Sequence, residues 1–236
     1  MATRSKTLLL TIVRHGQTNA NKERLMQGWA DIPLNDTGIK QAQAAGKALK
    51  EIEFHHAMSS DLQRAFKTCQ LVLEENQRSA ISVENVKKDK LLRERNFGVF
   101  EGKSYDLVAE FREKYGEYHP IENGESGVEV ENRIHEFLQS LLKLDNMDEN
   151  VQSILVVSHG GFITKMLSVM FNEMGCTLST NIENVPDFKG GYNAVRPANT
   201  CFSRFEMDIC VDVEKHTINT IKCLELLNAD HLNNLP

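Results

Sequence analysis

The chain has 236 residues, 41% of them apolar and 25% charged, with a formal net charge of −6. That length suits one α/β domain, expected over residues 1–236, and the acidic balance speaks against a general nucleic-acid or anionic-membrane binder. Cys69, Cys176, Cys201, Cys210 and Cys223 are scattered and form no Cys-x-x-Cys pair, so a reducing, cytoplasmic setting is expected, and no apolar run approaches the length of a membrane span.

Leu8-Leu9-Leu10-Thr11-Ile12-Val13 is a β-prone run that stops at Arg14-His15-Gly16, and it reads as a buried first strand rather than a signal peptide. A polar loop follows over 17–30. Asn35-Asp36-Thr37-Gly38 offers a helix start, and the Gln/Ala/Lys-rich stretch to Lys50 has good helix propensity. Residues 54–58 predict a second strand. Ser59-Ser60-Asp61 predicts a cap for a helix in which Leu62, Phe66, Cys69 and Leu73 recur at helical spacing. Residues 83–86 predict a third strand, 91–102 a charged loop, 105–115 a helix and 122–127 a turn. Val130, Ile134, Phe137, Leu138, Leu141 and Leu142 share one face of a helix expected over 128–144. Ile154-Leu155-Val156-Val157 predicts a strand ending in Ser158-His159-Gly160, followed by a helix over 162–174 and a long loop over 175–200. Alternation over 205–211 predicts an outer strand hairpinned to 218–226. Strands alternating with helices imply an α/β fold of three layers, α/β/α, around a mostly parallel central sheet.

Two strands that each end in His-Gly can deliver two imidazoles to one sheet edge, where open α/β sheets bind ligands. Imidazoles beside an arginine suit chemistry on phosphate. Arginine offers a planar fork matched to phosphate oxygens. A neutral imidazole nitrogen can attack phosphorus, and a carboxylic acid or histidine can protonate the leaving oxygen. The candidates are Arg14 and His15, Arg64 in the first turn of the helix after the second strand, Glu94 in Leu92-Arg93-Glu94-Arg95, and His159 before a helix. Plainer readings stand beside these: Arg14-His15 as a solvated strand end, Arg64 as a surface charge, and Glu94 as a member of a salt-bridged loop with Arg93, Glu101 and Lys103. Asn21 and Gln27 can equally bond their own backbone. Trp29 can line a pocket or pack a lid.

The ordered set of Arg14-His15-Gly16-Gln17-Thr18 with Asn21, Gln27-Gly28, Leu34-Asn35-Asp36-Thr37-Gly38, Ser59-Ser60-Asp61-Leu62-Gln63-Arg64-Ala65, Leu92 to Gly102, Gly124-Glu125-Ser126 with Arg133, and Val156 to Gly161 with Asn199-Thr200 resembles the histidine phosphatase, or phosphoglycerate-mutase-like, superfamily. Within it, Leu91-Leu92-Arg93-Glu94-Arg95 and the tail Leu227-Asn228-Ala229-Asp230-His231-Leu232 resemble the fructose-2,6-bisphosphatase-like branch. Phe97 stands where many relatives carry tyrosine. The resemblance implies a phosphoglycerate-mutase-like fold and a two-step, metal-free phosphatase without a cofactor. His15 would become phosphohistidine, Arg14, Arg64 and His159 would hold the phosphoryl group, and Glu94 would serve as acid and then base. Asn21, Gln27, Gly28, Gly160 and Asn199 would complete the phosphate and substrate site. The expected partner is a small phosphorylated metabolite, with fructose 2,6-bisphosphate the leading candidate. Nucleic acid and membrane are not expected partners. Oligomeric state stays open, with a monomer favoured. A phosphoglycerate mutase, a bisphosphoglycerate phosphatase, a protein phosphatase and a non-catalytic phosphate-binding module are the alternatives. The lone Arg112 between Lys103 and Pro120 favours hydrolysis over mutase action, because mutases of the family carry paired arginines.

Overall fold

The computed structural model describes residues 4–116, 119–144, 151–180, 182, 185–188, 195–211, 216–233 and 235. Parts of the loop read over 175–200, and residues 212–215 between the last two strands, lie outside them. The strands are β1 (Arg4–Arg14), β2 (His56–Ser59), β3 (Lys87–Lys88), β4 (Val151–Ser158), β5 (Thr177–Leu178), β6 (Phe202–Val211) and β7 (His216–Asn228). The helices are α1 (Asn19–Lys22), α2 (Asp36–Ala48), α3 (Gln63–Glu75), α4 (Tyr105–Tyr115), α5 (Gly127–Leu141) and α6 (Gly160–Asn172).

Among the described residues the sheet has seven strands in the order β3-β2-β4-β1-β6-β7-β5. Only β6 runs against the others. Alternation along the central strands fixes the layers, because successive side chains leave a strand on opposite faces. Leu8, Leu10 and Ile12 of β1, with Ile154 and Val156 of β4, join the apolar faces of α5 and α6 in one core. Val13, Leu155 and Val157 point the other way, into Ala45 and Leu49 on the α2 side and Ala65, Cys69 and Val72 of α3. The result is the expected three-layer α/β/α fold with a mostly parallel sheet. Among the described residues, no helix is long and apolar enough to cross a membrane.

Three local expectations are corrected. Residues 83–86 are not a strand: Val83–Asn85 forms a 3-10 turn after Ser82, whose side chain accepts from Glu84 N, and β3 is the two lysines that follow. The strand over 205–211 is not outer. β6 lies between β1 and β7, and its inward residues Phe205, Met207 and Ile209 are fully buried in the larger core. Ser59-Ser60-Asp61 does not cap α3. The helix starts at Gln63 with Leu62 at its N-cap and no capping side chain there, and Gln63 N instead donates to Asp31 Oδ1 at 2.7 Å.

Candidate active site

Register brings the two histidines together. β1 and β4 pair in parallel with Arg14 opposite Ser158, so the next residues, His15 and His159, leave the sheet side by side. His15 N donates to Ser158 O at 2.9 Å, and the two imidazole centroids lie 5.1 Å apart. Both rings are buried. His15 Nδ1 lies 2.7 Å from Gly16 O. A carbonyl can only accept, so Nδ1 carries the proton and Nε2 keeps its lone pair. Burial, then the charges of Arg64 and Arg14, hold the His15 pKa well below its ordinary 6.5. His159 is lowered by burial and then by Arg64, His15 and the two nearby arginines, Arg14 and Arg133. Both rings are therefore neutral at pH 7, as a nitrogen nucleophile must be.

The cations arrive from separate elements. Arg14 ends β1, and its guanidinium donates to Pro197 O. Arg64, in the first turn of α3, is fully buried, and its fork donates to Ala30 O at 2.7 Å and Gly28 O at 2.8 Å. Burial lowers its pKa to about 10, against the pull of Glu94, Asp31 and Glu101. Glu94 reaches the start of α6 from the 91–102 loop. Its carboxylate accepts from Gly161 N (2.9 Å), Phe162 N (2.9 Å) and Arg95 N (2.9 Å). Two of these are first-turn amides of α6 that a helix cannot bond internally. His159 sits at the N-cap position but does not cap with its side chain.

Several buried polar atoms have no hydrogen-bond partner among the described residues: Arg14 Nε, Arg64 Nε, and both ring nitrogens of His159. Buried polar groups are rarely left so. Their convergence beside His15 is what a tetrahedral oxyanion would satisfy.

The sequence profile of the histidine phosphatase superfamily (branch 1) matches residues 10–183. The chain belongs to this superfamily. It is 34% identical over 208 residues to fructose-2,6-bisphosphatase TIGAR B of Danio rerio, covering 75% of this chain and 80% of that protein. It is 29% identical over 269 residues to fructose-2,6-bisphosphatase TIGAR of Mus musculus, covering 95% and 96%. A crystal structure of phosphoglycerate mutase from Bacillus anthracis superposes with a TM-score of 0.69 over 97% of this chain and 96% of that one, at 24% identity, which speaks to the fold. This histidine phosphatase is thus TIGAR-like, a phosphoric monoester hydrolase by family.

The remaining predicted residues lie around the His15–His159 corner at one remove. Asn21 closes a capping box at α1, and its Oδ1 accepts from Thr18 N and from Asn199 Nδ2. Asn199 Nδ2 also donates to His15 O at 3.0 Å. Gln27 is buried, with Oε1 accepting from Thr18 Oγ1 at 2.9 Å. Gly28 offers its carbonyl to Arg64 from a left-handed conformation, φ +51°. Gly160 opens α6 against Arg14, where a Cβ would lie 3.2 Å from Nε.

Three positions to which the sequence reading gave no site role matter here, although Arg133 stands in the motif set and Glu101 among the charges around Glu94. Arg133 pairs with Glu125 at 2.7 Å and donates to the carbonyls of Leu91, Arg93 and Glu94, fixing the acid-bearing loop. Glu101 accepts from Trp29 N (2.7 Å), Ala30 N (3.1 Å) and Phe97 N (3.2 Å), so it joins the loop that holds Arg64 to the loop that carries Glu94. Trp29 Nε1 completes that joint on Glu94 O at 2.9 Å. Arg196 lines, with Arg14, Glu94, Tyr105, Arg112 and Gly160, a cleft of about 200 Å³. Glu101 was visible only as one of the charges of the 91–102 loop, and Arg196, in the stretch read as a loop over 175–200, offered no signal. A larger cleft, about 510 Å³, lies at the opposite ends of the strands beside residues 53–58 and includes none of these groups.

Proposed function

We propose that this protein hydrolyses small phosphorylated metabolites through a phosphohistidine at His15, with fructose 2,6-bisphosphate, cleaved at its 2-phosphate, as the preferred substrate. The observation that carries the reading is the cluster of unpartnered buried nitrogens on Arg14, Arg64 and His159 around a neutral His15. In the first step His15 Nε2 bonds to phosphorus while the P–O bond to the sugar breaks. Glu94 gives its proton to the departing alkoxide. In the second step the Glu94 carboxylate takes a proton from water, whose oxygen displaces His15 and yields inorganic phosphate. The equatorial charge falls to Arg14, Arg64 and His159, so the scheme needs no metal ion. Asn21, Gln27 and Asn199 hold the walls of this site, and Gly28 and Gly160 admit close backbone approach.

The bisphosphate preference rests on charge in the adjoining cleft, where Arg112 and Arg196 stand with Tyr105 beyond Glu94 and Arg14. A second anionic group on the substrate matches that pair, and the names of the TIGAR relatives point to the same chemistry.

The test is phosphate release from fructose 2,6-bisphosphate, fructose 1,6-bisphosphate, 2,3-bisphosphoglycerate, 3-phosphoglycerate and a phosphopeptide, with acid-quench detection of phosphohistidine and a His15→Ala control. The expected result is His15-dependent, EDTA-resistant turnover favouring fructose 2,6-bisphosphate. Conversion of 3-phosphoglycerate to its 2-isomer would replace the reading with mutase action. Absence of turnover and adduct with every donor would leave a phosphate-binding module.

A further inference from the structure

The tail around His231 lies outside the segment that the superfamily profile covers, and the chemistry above makes no use of it. Its place in the fold is specific. Residues 230–232 form a 3-10 turn beside α2, and His231 stacks on Phe202 with ring centroids 5.8 Å apart and planes 22° apart. From there His231 Nε2 meets Thr200 Oγ1 at 3.0 Å.

Thr200 is unusual. It is fully buried and holds φ at +60°, a conformation that β-branched residues avoid because Cβ crowds the backbone. Such strain persists only where the surroundings fix it, and it gathers at functional sites. Here Thr200 N donates to Arg14 O at 3.1 Å and to His15 O at 3.4 Å. On either side, Asn199 Nδ2 donates to His15 O, and Cys201 O accepts from Arg14 N at 3.0 Å. Pro197 O receives the Arg14 guanidinium. Segment 197–201 is therefore the bed on which the Arg14–His15 corner lies, and the strained residue at its centre is tied to the tail.

We infer that His231 is a positioning residue for the reaction: by holding the Thr200 hydroxyl it keeps the left-handed turn that sets the main chain of Arg14 and His15. The inference rests on the reading of His15 as nucleophile. Attack on phosphorus needs alignment within a fraction of an ångström, and a displacement of about 1 Å can lower a rate about a hundredfold.

The experiment compares His231→Ala, His231→Gln, Thr200→Gly and the Thr200→Gly/His231→Ala double variant. Each is measured for His15 phosphorylation in a single turnover, for orthovanadate affinity and for thermal midpoint. Glutamine places an amide near the Nε2 position and keeps a partner for the hydroxyl, so its rate is expected within about threefold of wild type. Alanine is expected to lose ten- to a hundredfold. Glycine adopts φ above zero freely, so His231→Ala is expected to have no further effect in the Thr200→Gly background, the signature of one residue acting through the other. Full activity of His231→Ala overturns the inference. So does an equal loss in both backgrounds, or a loss that tracks only the thermal midpoint and is shared by His231→Gln. If wild type forms no phosphohistidine with any donor, the catalytic reading fails. Orthovanadate affinity across the same four variants then decides whether His231 sets the anion-binding corner.

Discussion

Replacing Arg64 with methionine separates what the buried guanidinium does for the fold from what it does for chemistry. Methionine keeps most of the apolar stem and removes the charge. Two carbonyls, Gly28 O and Ala30 O, lose their donors, and an unsatisfied buried carbonyl is worth about 1–3 kcal/mol, so about 2–6 kcal/mol is at risk. Against this stands the unfavourable setting of the cation. A pKa near 10 rather than the ordinary 12.5 corresponds to about 3 kcal/mol of destabilisation of the charged form. The two largely offset, and urea titration is expected to show a net loss of no more than about 3 kcal/mol. Catalysis has no such compensation. Removing one donor of a charge-stabilising site lowers rates about 10²–10³-fold, or about 3–4 kcal/mol in the barrier. The assay is the single-turnover rate of His15 phosphorylation at saturating substrate. Arg64 also holds both histidine pKa values down, so the acidic limb of the pH–rate profile should move to higher pH. A variant that phosphorylates within about tenfold of wild type, or whose acidic limb stays in place, would refute this reasoning.

The buried neutral histidines give a second expectation. Their folded pKa values lie below the ordinary 6.5, so below that pH the unfolded chain binds more protons. Their contribution is fully present above about pH 6.5 and is lost as pH falls toward the folded values, by at most about 2.7 kcal/mol per pH unit for two groups. Urea midpoints at pH 7.5 and 5.5 check this, and a midpoint that rises on acidification contradicts it. Glu94→Gln should lower turnover of alkyl phosphates about 10²–10⁴-fold, yet slow His15 phosphorylation by an aryl phosphate much less, since a good leaving group needs no proton; equal losses would remove the acid role. Glu101→Gln should loosen the 28–30 loop and shift the emission of Trp29, the single tryptophan of the chain; unchanged emission would show that other bonds hold the loop. Gly161→Ala would bring a Cβ to 2.6 Å from Glu94 Oε1 and should displace the acid, lowering kcat at least about tenfold, while an unaffected kcat would mean that the carboxylate adapts.

Local pattern made much of this molecule legible. The runs at 8–13 and 154–157 end in His-Gly, and that alone put two imidazoles at one sheet edge. The apolar stripes of α3 and α5 announced their buried faces. Features that depend on distant partners were harder to read. Phe205, Met207 and Ile209 alternate in the same way whether a strand is outer or interior, so the pattern alone does not place β6 between β1 and β7. The start of α3 is served by Asp31, 32 residues away, and Ser60 gives no sign of it. Glu94 meets Gly161 and Phe162 across 67 and 68 residues, so motif reading could name the carboxylate but not its seat on a helix end. Arg64 shows the same limit: an arginine on a helix ordinarily faces water, and only the tertiary structure shows this one enclosed.

The ends of the sheet bear on how this chain behaves in concentrated solution. β3 is two exposed lysines, and β5 covers β7 only at Lys222 and Cys223. Open strand edges invite pairing with another molecule, and short edge strands, lysines and bulges are the usual obstacles to it. The ladder between β6 and β7 carries three register shifts, which bend the long final strand out of the flat geometry that edge-to-edge stacking requires. Substituting Lys87 and Lys88 with threonine would leave the catalytic machinery intact and make self-association the property to watch.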